Sequence, residues 1–177
     1  MKALKEFDIP FIGLKIGKHQ FAYKVDNTFL DKFEFEEFNA TNVVVALAFE
    51  KKSTLFELNF HVNGSVNVNC DISTEPFDLP IENELHLVVK FGEEFNNENE
   101  ELLVIPHGEY ELNVAQYIYE AIVLAVPSKR VHPGIEDGTL DSDILDKLEE
   151  LAPKEKENKE EKEIDPRWNK LKNLLND

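Results

Sequence analysis

The chain has 177 residues, with 36 acidic and 19 basic side chains and a formal net charge of −17, so it can form one ordinary domain with a real core plus an appendage, while a bare nucleic acid would be repelled by most of its surface. No stretch approaches the roughly 18 uninterrupted apolar residues of a membrane helix, and the opening MKALKEFDIPFIGLKIGKHQ has no apolar run leading to a small-residue cleavage site. The single Cys70 has no partner for an intrachain disulfide or a Cys-x-x-Cys zinc site, and the expectation is a soluble cytoplasmic protein.

Along the chain, FIGLKIG (residues 11–17) and HQFAYKV (19–25) have the content of strands, and NTFLDKFEFEEF (27–38) reads as a short helix covering one end of a sheet. NVVVALAFE places Val43, Val45, Leu47 and Phe49 on one strand face, and the polar EKKST after it supplies a hairpin turn. The clearest element is TLFELNFHVNGSVNVNC. From Phe56 its even positions are Phe56, Leu58, Phe60, Val62, Gly64, Val66, Val68 and Cys70, and its odd positions are polar. Such alternation makes a strand with one buried and one wet face. Asn63-Gly64 is also a turn dipeptide, so either two strands form a hairpin there or one long strand bulges at Gly64; the unbroken phase favours the bulge. ELHLVVKF (84–91) and ELLVIP (101–106) are further strands. Short connections without alternating helix crossovers predict an α+β fold with a mostly antiparallel sheet, open or partly closed into a barrel.

YELNVAQYIYEAIVLAVP holds the best helix, over residues 113–126. Asn113 is a natural N-cap, Gln116 completes a capping-box pattern, and Pro127 ends the run. Val114, Tyr117, Ile118, Ala121, Ile122 and Ala125 form its apolar face. Then VPSKRVHPG gives the body (1–135) its one locally basic spot, with Lys129, Arg130 and His132. These cations either suit the C-terminal end of the helix or make a secondary contact with a phosphate or carboxylate.

The linker, 136–164, starts amphipathic with Ile144, Leu145, Leu148 and Leu151, and continues as a charged run that buries too little to offset the entropy of ordering. At 165–177, DPRWNKLKNLL restores helix-start chemistry, with Asp165 as N-cap, Pro166 at the first helical position, and Trp168, Leu171, Leu174 and Leu175 on one stripe. A tryptophan beside Arg167, with Lys170 and Lys172 nearby, has the composition of a binding hot spot. The C-terminal helix therefore either binds a partner or docks on its own domain through Trp168.

No Gly-rich phosphate loop, His-Glu-x-x-His helix, nucleophile elbow or Cys/His cluster occurs in the sequence. His61 and His86 fall within strand patterns as ordinary sheet-surface residues, and Cys70 reads as a small buried hydrophobe. A nuclease would need a carboxylate metal cluster and a basic groove, for which the sequence offers no pattern. The expectation is a binding protein with no catalytic residues, no metal and no cofactor.

The strand pair leading to GSVNVNCDIS, the core helix in YIYEAIVLAVPSK with Glu120, Leu124 and Pro127, the acidic spacer, and the closing DPRWNKLKNLL together resemble the YceD-type family of large ribosomal RNA subunit accumulation proteins. In the tail the resemblance rests on Asp165, Pro166, Arg167, Trp168, Leu171, Lys172 and Leu174. Many family members also carry a Cys-x-x-Cys after the Gly-x-Val strand and a second cysteine pair after the core helix. Here only Cys70 is kept, Ser73 stands where its partner would be, and VHPGIEDG occupies the second region. What the resemblance implies is a non-catalytic factor for 23S ribosomal RNA accumulation. It would bind a large-subunit assembly intermediate, a basic ribosomal protein or another assembly factor, touching ribosomal RNA at most locally and no membrane. The alternative is an acidic adaptor or chaperone-like module unrelated to ribosomes.

Overall fold

In the computed structural model, which describes residues 4–99 and 101–152, the elements follow as β1 (Asp8–Ile9), β2 (Gly17–Val25), α1 (Asn27–Leu30), β3 (Ala40–Lys51), β4 (Leu55–Asn69), β5 (Pro76–Gly92), β6 (Asn96–Asn99), β7 (Leu102–Pro106), β8 (Leu112–Asn113), α2 (Ala115–Ala125), α3 (Pro133–Glu136) and α4 (Asp143–Leu151). The chain divides into two units, and the body ends at Asp141. The second unit begins at Ser142, whose hydroxyl accepts from the Ile144 amide and caps α4. The rest of the charged linker and the whole 165–177 helix expected from the sequence lie outside the described residues.

Six strands form one sheet in the order β2-β3-β4-β5-β7-β6. All pairs are antiparallel except β5 with β7, which is parallel. β2 and β6 stand at opposite ends, so the sheet is open and the partly closed barrel is not formed. β1 and β8 make a separate two-stranded pair, Ile9 opposite Leu112.

The alternation in β3 and β4 sets the two faces of this sheet. Val43, Val45, Leu47 and Phe49 share the core side with Phe56, Leu58, Phe60, Val62, Val66 and Val68, and all are buried. The ladder runs through Gly64 without a shift, pairing it with Val43 on one side and Ile81 on the other. This corrects the bulge expectation. Glycine is needed for close approach instead, because a Cβ there would overlap the Asn42 carbonyl oxygen and stand 2.7 Å from the Val43 Cα. The FIGLKIG strand is also corrected: Phe11–Gly13 is a single 3₁₀ turn, with Phe11 buried and Ile12 exposed. The 27–38 segment forms α1 and then a 3₁₀ turn over Asp31–Phe33.

α2 lies on the core side and buries Ala115, Ile118, Ala121 and Ile122. Each isoleucine contributes about 1.5–3 kcal/mol by leaving water. The N-cap is Val114 rather than the expected Asn113, which stands one residue before it and whose Oδ1 accepts from the Ala115 amide at 3.0 Å. The Asn113 side-chain nitrogen ties the helix start to Asp8 at 2.6 Å. Gln116 does not close a capping box; it donates to Glu120 at 2.7 Å. Aromatic packing adds to the core beside α2. Phe7, Phe29 and Phe33 follow one another with centroids about 5 Å apart, and Phe33 stacks on Tyr119 of α2 at 4.5 Å.

Candidate functional site

Two segments that are far apart in sequence meet beside the end of β4. The Asp71 amide donates to the Arg130 carbonyl oxygen at 2.8 Å, and the Arg130 amide donates to Asp71 Oδ2 at 2.6 Å. The Arg130 guanidinium lies 3.6 Å from Asp71 and 3.8 Å from Glu37. Arg130 is thus part of a clasp between loops, whereas its neighbour Lys129 is exposed.

Cys70 sits at the centre of this junction. Its Sγ accepts from the backbone N–H groups of Ile72, Ser73 and His132 at 3.4, 3.5 and 3.3 Å. Burial disfavours its thiolate, but donors from the Ser73 side chain and from these three amides outweigh that effect and bring the thiol from 9.0 down to about 7. The loop returns through Thr74, held at a φ of 60°, with the Cys70 amide donating to the Glu75 carbonyl at 2.9 Å. His132 is oriented on its other side, where Nδ1 accepts from the Gly134 amide at 2.9 Å.

On the other side of α2, a groove runs between the helix and the β6–β7 end of the sheet. It has two adjoining lobes, of about 420 and 430 Å³, which share Asn97, Gln116 and Tyr117. Leu85, Leu103 and Ile105 supply apolar wall. Phe95 and Leu124, which are 59% and 74% exposed, stand at it as well. This groove was not among the sites expected from the sequence. The available signal was Leu124, an apolar residue off the buried stripe of its helix.

The outer face of the sheet is wet and polar. His61 pairs with Glu84 at 3.1 Å, and His86 meets Asn59 at 2.7 Å. Both histidines therefore occupy the sheet-surface positions expected of them. Of the sequence-predicted site residues, Lys129 and Arg130 belong to the clasp region, while Asp165, Pro166, Arg167, Trp168, Lys170, Leu171, Lys172 and Leu174 lie outside the described residues.

Comparison with protein families matches residues 58–175 to the family described as large ribosomal RNA subunit accumulation protein YceD. The chain belongs to the YceD family. The match begins within β4, takes in α2, both segments that meet at Cys70 and all of the groove lining except Asp8, and continues through the tail pattern. β1 to β3 precede the YceD-matched region, although β3 is continuous with it in the sheet. Comparison with curated proteins and with solved structures gives no match.

The cysteine pairs of many YceD proteins raise the question of a metal at the clasp. The residues present do not fit one. Cys70 is the sole thiol, its sulfur is engaged by three amides, and His132 Nδ1 is taken by Gly134. Among the described residues no group of three His, Cys, Asp or Glu side chains is placed to hold an ion. Here the two segments are joined by hydrogen bonds to sulfur and by the Arg130–Asp71 pairing. No described helix is long and apolar enough to cross a membrane.

Proposed function

We propose that this protein is a non-catalytic factor that promotes accumulation of 23S ribosomal RNA in the cytoplasm by binding to a large-subunit assembly intermediate, a basic ribosomal protein or another assembly factor. The observation that carries the reading is the YceD match over residues 58–175. A net charge of −17 supports a basic protein partner over naked RNA, since charge complementarity raises encounter rates and suppresses wrong partners. The hook in this reading is the tail, with Trp168 and Arg167 as anchors and Leu171 and Leu174 beside them; Lys129 offers a secondary contact.

Affinity purification of tagged wild type and Trp168→Ala from growing cells, across a range of salt, tests it. Large-subunit precursors are expected with wild type and reduced at least about tenfold with the variant, the effect of losing an anchor residue. Recovery of unrelated proteins without ribosomal components by both would favour the acidic adaptor reading instead.

A further inference from the structure

We propose that the groove between α2 and the β6–β7 end of the sheet is a docking site for a cationic amphipathic helix of a partner protein. Four carboxylates stand in its lining, from Asp8, Glu109, Glu111 and Glu120, and no described lining residue is Lys or Arg. Two of the four are held in place by neighbours: Asp8 accepts from Asn113 at 2.6 Å and Glu120 from Gln116 at 2.7 Å. Between these charges the lining is more apolar than polar, with Asn97, Asn99 and Gln116 among the hydrophobic side chains, and it exposes Phe95 and Leu124 to water. Exposed apolar residues rimmed by charge of one sign fit a helix with a leucine stripe flanked by Lys or Arg.

The strand at the groove's margin decides between a helix and an added strand. β6 has only four residues, and its register with β7 shifts between Asn96 and Asn99. The Glu98 amide is already satisfied by the Asn96 side chain at 3.0 Å. A short, irregular and self-capped edge is a poor template for strand addition. Side-chain insertion from a helix requires none of those backbone groups. Tyr117, half-buried where the two lobes join, adds its ring to the lining. This inference rests on the groove alone and does not depend on the ribosomal reading.

The test titrates the full, isotope-labelled chain with a synthetic 14-residue peptide of lysine and leucine, the leucines at helical spacing, near physiological salt. A peptide of the same composition with its leucines dispersed serves as the comparison. Amide shifts are expected in α2, β6 and β7. Affinity should fall at least about tenfold for the dispersed peptide and for the Phe95→Ser/Leu124→Ser variant, whose replaced side chains are exposed and not needed for the core. Glu111→Lys/Glu120→Lys should weaken binding far more than Glu82→Lys/Glu84→Lys, which makes the same change of charge on the outer face of the sheet.

Equal binding of the two peptides, or equal effects of the two charge reversals, would reduce the interaction to nonspecific attraction and overturn the proposal. So would shifts of the groove amides in the peptide-free chain on introducing Trp168→Ala, because the chain's own C-terminal segment would then be the occupant.

Discussion

Replacing Cys70 with serine tests whether a sulfur hydrogen-bond hub holds the clasp. Serine preserves a small acceptor but cannot ionise in the accessible range, so the two proteins should differ in how their stability responds to pH. The Cys70 thiol falls from 9.0 to about 7 on folding. A group whose folded pKa is depressed contributes stability that is fully present above its unfolded value and is lost as pH falls through its folded value. The contribution is thus complete above about pH 9, declines towards about pH 7, and is absent below. Two units correspond to at most about 3 kcal/mol, at about 1.4 kcal/mol per unit. Urea unfolding at several pH values between about 6 and 10 would measure it, with ultraviolet thiolate absorbance as an independent titration. The stability difference between wild type and Cys70→Ser should widen by about 1–3 kcal/mol across that interval. A difference that is constant with pH, together with an ordinary thiol titration, would refute the hub.

Three further substitutions probe the frame around the site. Gly64→Ala forces a Cβ onto the backbone of β3 in the middle of the sheet, and should cost about 3 kcal/mol or more in chemical unfolding, at the upper end of overpacking effects. Thr41→Val removes a buried hydroxyl that has no hydrogen-bond partner among the described residues, so the variant should gain about 1 kcal/mol, read as a higher urea midpoint. Arg130→Ala leaves the backbone pairing with Asp71 intact and breaks only partly exposed ion pairs. It should therefore cost less than about 1 kcal/mol, and a loss of several kcal/mol would show that the clasp is carried by the guanidinium.

The parts of the fold legible in the sequence were those where burial is one-sided and regular. β3 and β4 alternate because the outer face of the sheet is wet, and α2 shows its stripe because only one side meets the core. β5 was legible from Glu84 onward but starts at Pro76. Pro76 and Pro80 argue against a central strand, yet among the described residues this half of β5 pairs only with β4, so the prolines lie at an edge where the missing amides cost nothing. Gly64 misled in the opposite direction. A glycine in a strand marks either an inserted residue or a close backbone approach, and only the three-dimensional register distinguishes them.

The site was less legible than the fold. Cys70 was readable as buried, but the three amides that converge on its sulfur come from two segments about sixty residues apart in sequence, and no local pattern encodes that meeting. The groove likewise depends on where β6 and β7 fall relative to α2. FIGLKIG failed as a strand because its apolar residues anchor a turn: Phe11 goes into the core beside Phe56, while Ile12 and Ile16 remain outside.

The most direct test of the functional account is the ratio of mature 23S to 16S ribosomal RNA in cells from which this chain has been depleted, with wild type and Trp168→Ala supplied back at equal levels. The account predicts a selective fall in 23S RNA that wild type restores and the tail variant restores poorly. An unchanged ratio on depletion would contradict it.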